Sequence, residues 1–186
     1  MVIFLGGCAA SVGRHFVRPE ANLLVLGKST FPEIWLKFGN PREEKTKTIN
    51  GKVVQTKSYA HATYRLPIMA IRTLEVHFCD NVLVGYEFVS SFDEDHTNFD
   101  ETKITLLKKG ETTLVKVRDL LGEPAGMGTF PLLNHPTEKA WIYSYGQFFT
   151  ASGHKQEKRL IVSSDSNGVV SDIELTSVKR SLSQPQ

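Results

Sequence analysis

Two stretches of this chain are built on one pattern. Gly27-Lys28-Ser29-Thr30 leads through Phe31, Ile34 and Phe38 to Gly39-Asn40-Pro41, and Gly110-Glu111-Thr112-Thr113 leads through Leu114, Val117 and Leu121 to Gly122-Glu123-Pro124. Both read Gly-x11-Gly-[Asn/Glu]-Pro, and they lie 83 residues apart. In each, a threonine stands at a helix N-cap position and apolar residues recur at i, i+3 and i+7. A glycine then closes the run where positive φ is favoured, and the proline that follows cannot continue a helix. Thr30 and Glu33 also have the spacing of a capping box, in which the cap is worth on the order of 1 kcal/mol. The pattern predicts short amphipathic helices over 31–38 and 114–121, and a chain made of two copies of one unit.

Beyond each helix the hydrophobic period changes to two. Leu74, Val76 and Phe78 alternate with Thr73, Glu75 and His77, Asp80-Asn81 supplies a turn, and Leu83 to Val89 returns. In the second unit Arg159 to Ser164 leads into Asp165-Ser166-Asn167-Gly168 and then Val169 to Leu175, with Asn-Gly expected to supply the positive φ angles of a tight turn. Leu74 and Val76 thus correspond to Leu160 and Val162 at an offset of 86, the change from 83 being absorbed in the loops. A further strand lies between helix and hairpin in each unit, Tyr59 to Leu66 in the first and Ala140 to Tyr145 in the second. Each unit reads as a helix followed by a three-stranded antiparallel sheet, which makes the chain α+β.

With 186 residues and 40% apolar content, the chain can bury one sizeable core or two small ones that share an interface. Its 22 basic and 20 acidic residues leave a net charge of +2, too little field to suggest a nucleic-acid partner. No run after Leu5 approaches the length of a spanning helix, so membrane contact is expected only through the N-terminus. There Leu5-Gly6-Gly7-Cys8, followed by small residues, resembles the end of a bacterial lipoprotein signal peptide. The resemblance implies a diacylglycerol thioether on Cys8, with residues 1–8 as a partial signal segment and 9–19 as a tether. Against it stands a reading of Val2 to Leu5 as a buried strand with Cys8 in the core. Cys79, alone in an apolar strand, reads as a packing residue.

Motifs that would carry catalysis are incomplete. Gly27-Lys28-Ser29 has the tail of a P-loop, but the glycine required five residues earlier is Asn22. His15, His61, His77, His96, His135 and His154 have no zinc-type spacing. Asp93, Glu94, Asp95, Asp100 and Glu101 lack the ligand alternation of a calcium loop and read as an acidic, solvated linker over 93–103. No Gly-x-Ser-x-Gly elbow surrounds Ser90, Ser91, Ser163 or Ser164. No enzyme activity, cofactor or metal is therefore expected.

The aromatic strand residues point elsewhere. Tyr59, Tyr64, Trp141, Tyr143 and Tyr145 occupy comparable places in the two units and are types that anchor protein interfaces. Trp141, Tyr143 and Tyr145 share one strand face, which is expected to pack beneath a helix. Tyr59 and Tyr64 differ by an odd number, so a regular strand sends them to opposite faces and at least one to the uncovered side.

The paired Gly-x-x-Thr…Phe/Leu-Gly-x-Pro helices, each followed by an aromatic strand and an Asn-centred hairpin, resemble the SmpA/OmlA (BamE) family of outer-membrane lipoproteins. The duplication is similar to that of β-lactamase inhibitory protein. The resemblance implies a BLIP-like tandem repeat, each unit a helix-loop-helix layer on an antiparallel sheet whose other face is concave. Repeats are expected over 20–92 and 104–178, with a disordered tail over 179–186. The segment before Gly27, Glu20 to Leu26, reads equally as a short helix or a strand. The implied role is that of a non-catalytic adaptor binding an envelope protein, anchored by Cys8 in the outer membrane and facing the periplasm. The alternatives are a periplasmic or secreted inhibitor of an enzyme such as a β-lactamase, and a small-ligand carrier or enzyme with a pocket between the repeats.

Overall fold

The structure is a computed structural model and describes residues 10–20, 22–65, 68–149 and 154–181. Its chain order is β1 (Ala10–Val12), α1 (Phe31–Phe38), β2 (Glu43–Ile49), β3 (Lys52–Arg65), β4 (Ile68–Cys79) and β5 (Val82–Ser90), then α2 (Leu114–Leu121), β6 (Gly126–Thr129), β7 (Lys139–Phe149), β8 (His154–Ser164) and β9 (Val170–Ser181). Short 3-10 turns cover Asp93–Asp95 and Glu101–Leu106 between β5 and α2. The fold is α+β and mostly antiparallel sheet: nine strands form one sheet in the order β1-β3-β4-β5-β6-β7-β8-β9, with β2 pairing the outer edge of β3. The halves of the sheet meet where β6 lies between β5 and β7, where Ile68 and Met69 of β4 pair Phe149 and Phe148, and at a parallel bridge from Ser90 to Tyr145. No helix among the described residues is long and apolar enough to cross a membrane.

Both expected helices form at the expected residues. The Thr30 amide donates to Glu33 Oε2 at 2.7 Å, and Thr113 Oγ1 accepts from the Lys116 amide at 3.4 Å. Ile34 and Phe38 of α1 pack with Tyr59, Leu74, Val76 and Phe78, whereas Val117 of α2 packs with Tyr143, Leu160 and Val162. The attachments of the two helices to the sheet match. The Gly27 amide donates to the Leu83 carbonyl and Leu83 returns a bond to Ser29, while Gly110 donates to Val170 and Val170 to Thr112. Gly39 and Gly122 close the helices at φ 78° and 84°, as expected, but with ψ of −153° and −166° rather than the left-handed helical value. That region is open essentially to glycine alone.

Several expectations need correction. Of the tether expected over 9–19, residues 10–19 begin with β1 on the edge of β3, bury Phe16 in the core and bond Arg18 to the backbone of Asp95, Glu123 and Pro124. Residues 1–8, and with them Cys8, lie outside the described residues. Strand β2 was not expected, because Glu-Glu-Lys-Thr-Lys-Thr offers no apolar face; almost all its residues are exposed and backbone pairing with β3 holds it. The positive φ angles of Asn50 and Gly51 at its turn suit the tight hairpin that joins them. At the β8–β9 turn only Gly168 has positive φ, and Asp165 Oδ1 accepts from the amides of Asn167 and Val169. The described residues before Gly27 form turns over 22–24 and 26–28, not a helix or strand, so among the described residues one eight-residue α-helix covers each half. Strand β9 continues through Ser181, into the expected tail.

Candidate binding surface

Strand alternation divides the candidate aromatics between the two faces of the sheet. Tyr59 is buried beneath α1 with its ring 5.4 Å from Phe38. Trp141, Tyr143 and Tyr145 share the helix side of β7, as expected for packing residues. Trp141 packs on the second core cluster, Tyr143 is buried within it, and the Tyr145 hydroxyl donates to Gln147. Tyr64 points the other way and is 43% exposed. Of the five candidates, only Tyr64 therefore lies on the face that the helices leave uncovered.

The uncovered face has an apolar strip and a charged band. Register places Ala62 opposite Ile71 and Tyr64 opposite Met69, with Ala60 next to Thr73 and Thr73 next to Val89. Ala60, Ala62, Met69, Ile71 and Val89 are all partly exposed, so with Tyr64 they form an apolar strip interrupted at Thr73. Beside it Glu87 accepts two bonds from Arg159 Nε and one from Arg159 Nη2, at 2.8–3.0 Å, and a 2.5 Å bond from Ser144 Oγ. This bidentate pair holds the Arg159 guanidinium charged, raising its pKa through the hydrogen bond to Glu87. Glu87 and Val89 separate two clefts of about 470 and 310 Å³, one reaching Arg42 and Ser58, the other Thr176 and Val178. On the same face His77 Nδ1 bonds Thr56 Oγ1 at 2.9 Å, and burial lowers its pKa.

A second polar cluster escaped sequence reading. Asp95, expected in a solvated linker, is 4% exposed and pairs with the equally buried Arg72. Arg72 also bonds Glu94 at 2.7 Å, stacks 3.8 Å from the Phe92 ring and approaches His15 Nε2 at 3.3 Å. Ser90 Oγ donates to Asp95, and His15 lies edge-on to His61 at 5.0 Å. Carboxylates and histidines thus gather around Arg72, which engages both carboxylates and contacts His15. The sequence signal was the phase of Arg72, which falls in step with Leu74, Val76 and Phe78 on the buried face of β4, since a charge there must find a partner. Phe99 and Thr97 are buried in the same segment, and Lys158 Nζ bonds the Phe99 carbonyl.

No protein-family model and no curated protein matches the chain. Among solved structures it is similar to a candidate β-lactamase inhibitor protein from Streptococcus mutans, at 12% identity and a TM-score of 0.46, covering 83% of this chain and 91% of that one. At that level the similarity assigns neither family nor activity.

Proposed function

We propose that this chain is a BLIP-like tandem repeat acting as a non-catalytic protein-binding module, which seats a segment of its partner on the uncovered face of the sheet. The carrying observation is the placement of Tyr64, exposed beside an apolar strip that is bordered by the Glu87–Arg159 pair. Large amphipathic rings next to partly exposed apolar area, rimmed by charge, are the composition of a protein interface core and rim. The matched helix attachments at Gly27 and Gly110 support the tandem reading. We further propose an envelope setting, with a lipid on Cys8 anchoring the chain to the outer membrane from the periplasmic side; the Leu5-Gly6-Gly7-Cys8 sequence supports it.

Photo-crosslinking tests the binding reading. With p-benzoylphenylalanine in place of Tyr64, cells expressing the full chain should yield a discrete adduct with another protein. The same group in place of Val115, exposed on the helix side, should not. Equal crosslinking from both positions, or none from either, refutes the proposed face. For the anchor, Cys8→Ser should move the chain from the membrane fraction to the soluble one.

A further inference from the structure

Tyr59 and Tyr143 occupy the same place in the two halves, Tyr59 opposite Leu74 and Tyr143 opposite Leu160. Their hydroxyls fare differently. Tyr143 donates at 3.0 Å to the carbonyl of Gly122, the glycine that ends α2. The Tyr59 hydroxyl is buried and has no partner among the described residues, the only buried side-chain polar atom there of which this is true. The space at the end of α1 is filled instead by Arg14, whose guanidinium stands where a Cβ on Gly39 would be; the same construction at Gly122 meets nothing.

The edge of β3 is notched at this point. Strand β1 pairs residues 62–64 and β2 pairs residues 52–58, which leaves Tyr59 to His61 between them. A cleft of about 390 Å³ opens at the notch, lined by Arg14, Phe16, Phe38, Asn40, Arg42 and Tyr59 among others. It adjoins a second of about 450 Å³ that shares Arg14, Phe16 and Phe38 and adds Lys37 and Arg18. Arg14, Lys37 and Arg42 make no side-chain hydrogen bond or ion pair among the described residues. The acids next in sequence to Arg42 are engaged, Glu43 by Lys45 and Glu44 by Lys57. Burial and the nearby Glu44 push the Tyr59 pKa up to about 12, so the hydroxyl keeps its proton and is free to donate it.

We propose that this notch is a binding site for a small organic anion, a carboxylate on an apolar or aromatic body. Arg14 and Arg42 engage the carboxylate, and Phe16 and Phe38 form the apolar floor. Two guanidinium forks recognise a carboxylate through paired N–H bonds, the volume suits a small ligand, and an unpartnered buried donor is a group that calls for an occupant. The site opens at the sheet edge, where Arg42 and Ala60 also border the uncovered face, but Tyr64 is not part of it, so failure of either reading leaves the other standing.

The test is a titration of the isotopically labelled full chain, read by amide chemical shifts, with 4-phenylbutyrate as probe and 4-phenylbutanol, acetate and inorganic phosphate as controls. Saturable shifts at Arg14, Gly39 and Asn40 with 4-phenylbutyrate are expected. Arg14→Gln with Arg42→Gln, both exposed positions, should weaken binding by roughly tenfold or more, as should removal of the charge in 4-phenylbutanol. Should that double variant misfold, Arg42→Gln alone serves in its place. Tyr59→Phe should weaken binding while leaving the rest of the spectrum in place. Absence of saturable shifts, equal binding by the charge variants, or equal binding of 4-phenylbutanol overturns the site. Phosphate or acetate binding as tightly as 4-phenylbutyrate overturns the apolar floor and with it the proposed ligand class.

Discussion

Arg72 Nε and Asp95 Oδ2 meet at 2.6 Å with their side chains 2% and 4% exposed. The two residues join β4 to the 3-10 turn through which the chain leaves the first half of the sheet. Desolvating both charges is expensive, and the attraction repays it only if the remaining donors and acceptors are used. Ser90 donates to the same carboxylate oxygen, Glu94 takes a second guanidinium nitrogen, and the Phe92 ring covers the cation. The pair therefore fixes the path of the segment that leads from β5 to α2.

Breaking the pair from one side should be costly. Arg72→Met leaves Asp95 buried without its cation, and Asp95→Leu leaves Arg72 with the exposed Glu94 as its one counter-ion among the described residues. Each should lose about 3–5 kcal/mol in urea unfolding. The double substitution should cost clearly less than the sum, because neither charge is then stranded. Additive losses would mean that the two groups are not coupled.

The two equivalent tyrosines give a contrast within one protein. Tyr143→Phe removes the donor to the Gly122 carbonyl and should cost about 1 kcal/mol or somewhat more. Tyr59→Phe removes a hydroxyl that has no partner, and should be neutral or stabilising by urea or thermal unfolding. A loss at Tyr59 as large as that at Tyr143 would show that its hydroxyl is satisfied in solution.

The helices, both hairpin strands and the split of Tyr59 from Tyr64 were legible because each rests on local periodicity. Thr30 through Gly39 carries its own start, stripe and stop, and one-residue alternation along β3 decides which tyrosine is covered. What the sequence hid depends on distant partners. Glu43–Ile49 has no apolar face and becomes a strand because β3 offers it an edge. Asp93–Asp95 looked solvated because its cation, Arg72, is remote in the chain. Phe16 and Arg18 looked like tether because their contacts, Phe38 and Asp95, are likewise remote. The notch at Tyr59 was invisible for the same reason, since it is bounded by Gly13 and Arg42, both remote from Tyr59 in the chain.

Gly39 and Gly122 should each resist substitution. Their φ and ψ lie where a Cβ is strained, which costs on the order of 1–3 kcal/mol whatever the surroundings. Gly122→Ala therefore measures backbone strain alone, since nothing stands near its Cβ position. Gly39→Ala should lose a similar amount and also displace Arg14, so it should weaken 4-phenylbutyrate binding where Gly122→Ala does not. A neutral result at either glycine in chemical unfolding would contradict the observed helix ends.

Stability should also respond to the titration of His77. Burial holds its pKa below the ordinary histidine value and Arg159 adds to the shift, against opposing pulls from Glu75 and Glu87. The folded chain thus favours the neutral imidazole that Thr56 bonds, while the unfolded chain takes up its proton near pH 6.5. Between those values the unfolded state binds more protons, so stability rises with pH in that window. The His77 contribution is complete above about pH 6.5 and declines as pH falls through the folded pKa. Urea midpoints measured from pH 8 down to pH 5 should fall for the native chain and fall less steeply for His77→Gln. Parallel curves would mean that this histidine titrates alike in both states.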